Sequence, residues 1–181
     1  MTDDRITRLS RRPVYHNDWM SVYEDQVRFP GGTSGIYGVV EKPDFVAIVP
    51  LDDRGRIHLV SQFRYPVGQR MWELPMGVSH GTPEQQARAE LREETGLIAG
   101  TLRHIGHLFQ APGFSAQGFD VFLATDLTQG QTELEVTESD LIADAFPWPE
   151  VQRMIAAGEI TDAATIAALG LLLVRGLLPP G

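Results

Sequence analysis

The sequence predicts an α/β (α+β) layered domain, with a mixed sheet and helices inserted and appended. Three observations carry this. From Tyr15 onward, segments rich in Val, Ile, Phe and Tyr are separated by strong turn signals. One helix, Pro83–Thr95, is marked at both ends by capping residues. Two further helical segments close the chain. At 181 residues the chain is long enough to bury a full core without staples.

Taken in order, residues 1–13 are polar and are expected to be loosely held. Trp19–Val27 and Ile36–Ile48 read as strands on either side of the turn Phe29-Pro30-Gly31-Gly32-Thr33. Ala47–Pro50 and Ile57–Phe63 flank a second hairpin turn, Asp52-Asp53-Arg54-Gly55. The helix then opens with Thr82 as N-cap, Pro83 at its first position and Gln85 completing a capping box. Gly96 supplies its stop. Leu102–Phe109, Phe119–Ala124 and Leu141–Phe146 read as strands. Pro149–Ala157 and Asp162 to about Leu177 read as the closing helices.

Composition excludes several functions. The chain has no cysteine, so disulfides, thiol catalysis, Cys-ligated zinc and iron–sulfur clusters are ruled out. That absence suits a reducing, cytoplasmic compartment. Lys and Arg number 15 against 24 Asp and Glu, a net charge of −9, and no basic run appears. Nucleic acid is therefore not an expected partner. The N-terminus has no apolar core and does not read as a signal peptide. The longest apolar run, Ala163–Leu178, is broken by Arg175 and is short for a membrane span. It reads as a buried or interface helix, and no membrane is expected as a partner.

The chemistry concentrates on Pro83–Thr95. Glu90, Glu93 and Glu94 fall within about 100° of arc on this helix. Glu90 and Glu94 are like charges at i,i+4, a spacing that weakens a helix by about 0.2–0.5 kcal/mol. Two readings stand: a solvated acidic face, or a site for a hard cation that prefers carboxylate oxygens. His104 and His107, three apart on an apparent strand, are expected on opposite sides.

Glu73-Leu74-Pro75-Met76-Gly77, a short loop, and then Ala89–Leu97 (AELREETGL) resemble the signature of the Nudix hydrolases. Glu90, Leu91, Glu93, Glu94, Gly96 and Leu97 match its second half position by position. The first half departs from it. The loop is two residues short, Gly81 stands where the pattern has a glutamate, and Ala89 replaces its arginine. Arg88 points about 200° away from Glu90 and does not replace that arginine. Gln62–Pro66, Trp72–Pro75, Pro112–Ser115 and Gly158–Leu169 resemble the ADP-ribose pyrophosphatase branch.

The resemblance implies a Nudix-type α/β/α sandwich, with residues 1–45 as an N-terminal β extension that dimerises and 46–181 as the hydrolase domain. It implies Mg2+-dependent hydrolysis of a nucleoside diphosphate sugar, ADP-ribose first, with Mn2+ as an alternative cation and a homodimer as the assembly. Other nucleotides, or a nucleotide-binding module of weak activity, remain as alternatives. Glu90 and Glu94 are implied as metal ligands, with Glu93 assisting and the Met76 carbonyl as a further ligand. Glu93, Glu94 and Glu138 are implied as catalytic, Glu138 from the acidic stretch Thr132–Asp140, where Glu135 is second choice. Arg64, Glu73, Gly77 and Ser115 are implied in substrate binding. Trp19 and Tyr37 are implied in stacking the nucleobase from a partner subunit.

Overall fold

The computed structural model describes residues 5–78, 81–131 and 140–179. The chain forms two compact units. One comprises Met1–Asp44 and Phe109–Gly118, the other Phe45–Leu108 and Phe119–Gly181. Residues 109–118, which the sequence reading placed in the hydrolase domain, thus group with the N-terminal unit.

The first unit is an antiparallel sheet of β1 (Thr7–His16), β2 (Ser21–Arg28) and β3 (Ser34–Glu41), in that order. Its first strand corrects the expectation of a loosely held N-terminus. β1 is exposed almost throughout, so burial does not hold it. The antiparallel ladder with β2 does, and cross-strand charge pairs add to it. Arg11 stands opposite Asp25 in register. Its Nε and Nη2 donate to the two oxygens of Asp25 at 2.7 and 2.9 Å. Its Nη1 donates to Glu41, and the guanidinium lies 4.4 Å over the Tyr23 ring. Arg12 and Glu24 pair at 3.0 Å one row along. The Arg11 guanidinium holds the Asp25 carboxyl below its ordinary range. The segment Ala111–Ser115 joins this unit through Val40, whose N–H donates to the Phe114 carbonyl at 2.8 Å.

The second unit contains β4 (Phe45–Pro50), β5 (Arg56–Arg64), β6 (Gln69–Glu73), β7 (Met76–Val78), α1 (Pro83–Thr95), β8 (Leu97–Phe109), β9 (Gly118–Gln129), β10 (Ile142–Pro147), α2 (Trp148–Ala156) and α3 (Ala163–Val174). Two sheets result, β7-β4-β9-β8 and β10-β5-β6. In the first, β4 runs parallel to β9 and antiparallel to β7. The strand β4 is apolar on both faces, as a central strand covered by helices must be. Its side chains alternate. Val46 and Ile48 pack with Ala87 and Leu91 of α1. Ala47 and Val49 pack with Val151 of α2 and Ala168, Leu169 and Leu172 of α3. Each buried Val, Ile or Leu among them contributes roughly 1.5–3 kcal/mol. One helix on one face and two on the other make the expected α/β/α sandwich.

The helix α1 is built as its sequence predicts. The Thr82 hydroxyl accepts from the Gln85 N–H, and the Gln85 side chain returns a bond to the Thr82 backbone. Gly96 closes it in the left-handed conformation, φ 71°, which favours a residue without Cβ. Trp148 is buried in the core beside Val151 and Met154.

Candidate active site

The short link from β6 to β7 organises the second unit. Every residue from Glu73 to Gly77 is held. Leu74 N–H donates to Thr165 Oγ1 of α3 at 2.9 Å. The Pro75 carbonyl accepts from Ile48 N–H at 3.0 Å. Met76 N–H donates to Glu94 Oε2 of α1 at 3.3 Å. The two amides flanking Pro75 are thus claimed by side chains of two different helices. Pro75 itself has no N–H to satisfy. Thr165 is in turn set by the N-cap of α3, where its own N–H donates to Asp162 at 2.7 Å.

The carboxylates of α1 differ in placement. Glu94 is only 5% exposed, Glu90 and Glu93 are half-buried. Glu90 lies directly over Gly77: a Cβ there would stand 1.7 Å from Glu90 Oε1. Gln86 Nε2 donates to the same Oε1 at 2.7 Å. Arg88 is turned elsewhere, as its helical position predicts. It donates to the Ala99 carbonyl at 2.9 Å and to Glu84 at 3.1 Å.

Beside this, Arg64 and Glu73 form a close pair across β5 and β6. Arg64 Nε reaches both Glu73 oxygens at 3.0 Å, and Nη2 reaches Oε2 at 2.5 Å. Glu73 is 3% exposed, while the Arg64 side chain is 41% exposed. The hydrogen bonds Arg64 donates to Glu73 raise the Arg64 pKa above its ordinary value, burial opposes them, and Glu94 and Asp162 add to the rise. Arg64 therefore stays cationic at the surface with its partner buried. Such an arrangement suits a phosphate oxygen, which a planar guanidinium binds well.

In the first unit, Tyr37 and Ser115 line one depression of about 260 Å3 with Val39, Phe109, Pro112 and Phe114. Tyr37 OH donates to the Gly113 carbonyl at 2.7 Å, which fixes its ring. Ser115 is buried, and its Oγ accepts from Gln117 N–H at 3.1 Å. Gln117 Nε2 donates to the Pro43 carbonyl at 2.7 Å, a bond a carboxylate could not make. Trp19 lies elsewhere, 71% exposed beside a shallower depression lined by His16, Asn17, Glu41 and Lys42. The Asn17 side chain accepts from the N–H groups of Trp19 and Met20 and shapes that turn. Glu135 and Glu138 lie outside the described residues.

The sequence reading missed three features. Thr165 is one, and its signal was a hydroxyl on the otherwise apolar buried face of α3. Gln86 is another, spaced i,i+4 from Glu90. The third is Arg70, which donates to Asp140 Oδ2 at 2.6 Å and to the Ser61 carbonyl at 2.8 Å, tying the start of the last strand to β5. No local sequence pattern announces that bond. The histidine expectation is also corrected. His104 Nε2 and His107 Nδ1 both approach Asp120 Oδ1, at 2.7 and 3.5 Å.

Whether these residues suit a divalent cation is answered by their placement. Among the described residues, no three His, Asp or Glu side chains gather closely enough to hold a metal by themselves. The expected trio on α1 is thus not one cluster. Mg2+ is commonly held by one or two carboxylates, with waters and substrate phosphates completing its shell. Glu90 and Glu94, set against the backbone of Gly77 and Met76, fit that pattern.

The fold and this helix-bound pair of carboxylates define a class. The sequence matches the NUDIX domain over residues 41–169, and the chain belongs to the Nudix family of hydrolases, which use a divalent metal. Residues 6–40 match the nucleoside diphosphate sugar hydrolase N-terminal domain. The chain is 38% identical to an ADP-ribose pyrophosphatase of Mycobacterium tuberculosis, over 93% of this chain and 84% of that one. It is 28% identical to an ADP-ribose pyrophosphatase of Bacillus subtilis, over 94% of each. A crystal structure of an ADP compounds hydrolase shares the fold, with a TM-score of 0.84 at 20% identity, covering 96% of this chain and 97% of that one. No helix among the described residues is long and apolar enough to cross a membrane.

Proposed function

We propose that this enzyme hydrolyses the diphosphate bridge of a nucleoside diphosphate sugar, with ADP-ribose as the first substrate and AMP and ribose 5-phosphate as products. The observation that carries the reading is the pairing of Glu90 and Glu94 on α1 with the pinned Met76-Gly77 backbone. The N-terminal match and the names of its relatives support the sugar nucleotide.

In this reading Glu90, Glu94 and the Met76 carbonyl hold Mg2+, with Glu93 assisting and Mn2+ able to serve. When bound, the cation neutralises diphosphate charge and favours ionisation of the attacking water. Arg64 binds a phosphate oxygen or the ribose, and Glu73 holds Arg64 in place. Gly77 leaves room for Glu90 and for substrate beside it. Glu138 accepts a proton as water oxygen bonds to one phosphorus and the bridging P–O bond breaks. Trp19 and Tyr37 supply aromatic faces for the base bound by a partner subunit, and Ser115 lines the depression with Tyr37. The N-terminal sheet is the surface for a homodimer. A chain without cysteine suits the cytoplasm.

The test is a panel of nucleoside diphosphate sugars, dinucleotides and nucleoside triphosphates with Mg2+, Mn2+ or EDTA, products identified by mass. Metal-dependent AMP and ribose 5-phosphate from ADP-ribose is the expected result. A faster rate on a triphosphate would overturn the substrate class. Saturable binding with no turnover would overturn the enzymatic reading.

A further inference from the structure

We infer that Gln86 is a positioning residue for Glu90, orienting its carboxylate toward the cation through a neutral donor. The inference rests on the metal-site reading above. The hydrogen bond is local to α1. Gln86 and Glu90 are one turn apart, and Gln86 Nε2 donates to Glu90 Oε1 at 2.7 Å. On its other side the same carboxylate rests on Gly77, so close that no Cβ fits between them. Donor and cradle together restrict the rotamers of a long, half-buried side chain. A ligand held this way loses little freedom when it binds, since the ordering has already occurred.

At the adjoining position stands Ala89, whose side chain has no polar atom. The Arg88 guanidinium is engaged with the Ala99 carbonyl and Glu84. The neutral amide orients the carboxylate by donating one hydrogen bond and leaves its negative charge in place for the metal. Partners of metal ligands typically change metal affinity or activity about 10–100-fold when removed.

The experiment measures Mn2+ binding by the full chain, from the loss of free-ion EPR signal, in wild type, Gln86→Ala, Gln86→Arg and Glu90→Gln. Melting of the metal-free proteins is followed in parallel. Alanine is the better helix former, so Gln86→Ala does not weaken α1 through propensity. Gln86→Ala is expected to raise the Mn2+ Kd about 10-fold or more, with unchanged metal-free Tm. Gln86→Arg, which restores a donor at the same spacing, is expected to recover most of that loss. Equal Kd for Gln86→Ala and wild type, with Glu90→Gln weakened, would overturn the inference and leave the metal site standing. Gln86→Arg as weak as Gln86→Ala would also overturn it. Wild-type binding by Glu90→Gln would remove the metal-site reading and the inference with it.

Discussion

The β6–β7 link and the aromatic surface of the N-terminal unit are built on opposite principles. At the link, each residue from Glu73 to Gly77 is held by a buried or half-buried partner drawn from α1, α3, β4 or β5. In the N-terminal unit, Trp19 is 71% exposed and Tyr37 is fixed only at its hydroxyl and its strand. Chemistry on a diphosphate needs reacting groups placed to a fraction of an ångström, and a displacement of about 1 Å can cost about 10²-fold in rate. Stacking on a base tolerates looser placement because every base has a π-face. The difference is one of tolerance: a pinned link admits little displacement, and an exposed aromatic face admits more.

Gly77→Ala is the largest expected break in this contrast. The new methyl meets the flexible end of Glu90 rather than backbone, so the fold tolerates it and the carboxylate moves. Steady-state kinetics should show a loss in kcat of about 10²-fold with little change in Tm. Loss of folding instead would show that the close approach serves packing. Trp19→Ala should act on the other term, raising KM about 10-fold, as expected for loss of one stacking contact, with kcat little changed. A kcat effect with unchanged KM would place Trp19 in the chemistry. Thr165→Val is the smallest. It leaves the Leu74 N–H without its acceptor and should cost about 1–2 kcal/mol in denaturant unfolding. No loss of stability would mean that the link is held without α3.

The sequence reading succeeded where the cause of structure is local. The capping box of α1 and its Gly96 stop are backbone bonds between near neighbours, so residue types alone announce them. The turn Asp52–Gly55 between β4 and β5 is legible in the same way, whereas Ile36–Ile48, read as one strand, is broken between β3 and β4. It failed where distant side chains decide. The polar residues 1–13 read as loosely held, while the ladder with β2, with Asp25 and Glu24 as charge partners, orders β1. Arg64 and Glu73 are legible by resemblance, including Glu73 as a partner for Arg64, and the structure shows that bond across β5 and β6. The bond from Leu74 to Thr165 joins residues 91 apart in the chain, and no spacing rule reaches that far.

The central claim is that Glu94 does more than satisfy the Met76 amide. Glu94→Gln separates the two roles. Glutamine keeps an oxygen for Met76 N–H while removing the charge a cation needs. The decisive measurement is hydrolysis of ADP-ribose by Glu94→Gln at saturating Mg2+, with Tm as control. The account predicts a native Tm and a kcat lower by about 10³-fold, a loss near 4 kcal/mol of transition-state stabilisation. A native Tm with wild-type turnover would contradict it and leave Glu94 as a structural acceptor for the Met76 amide.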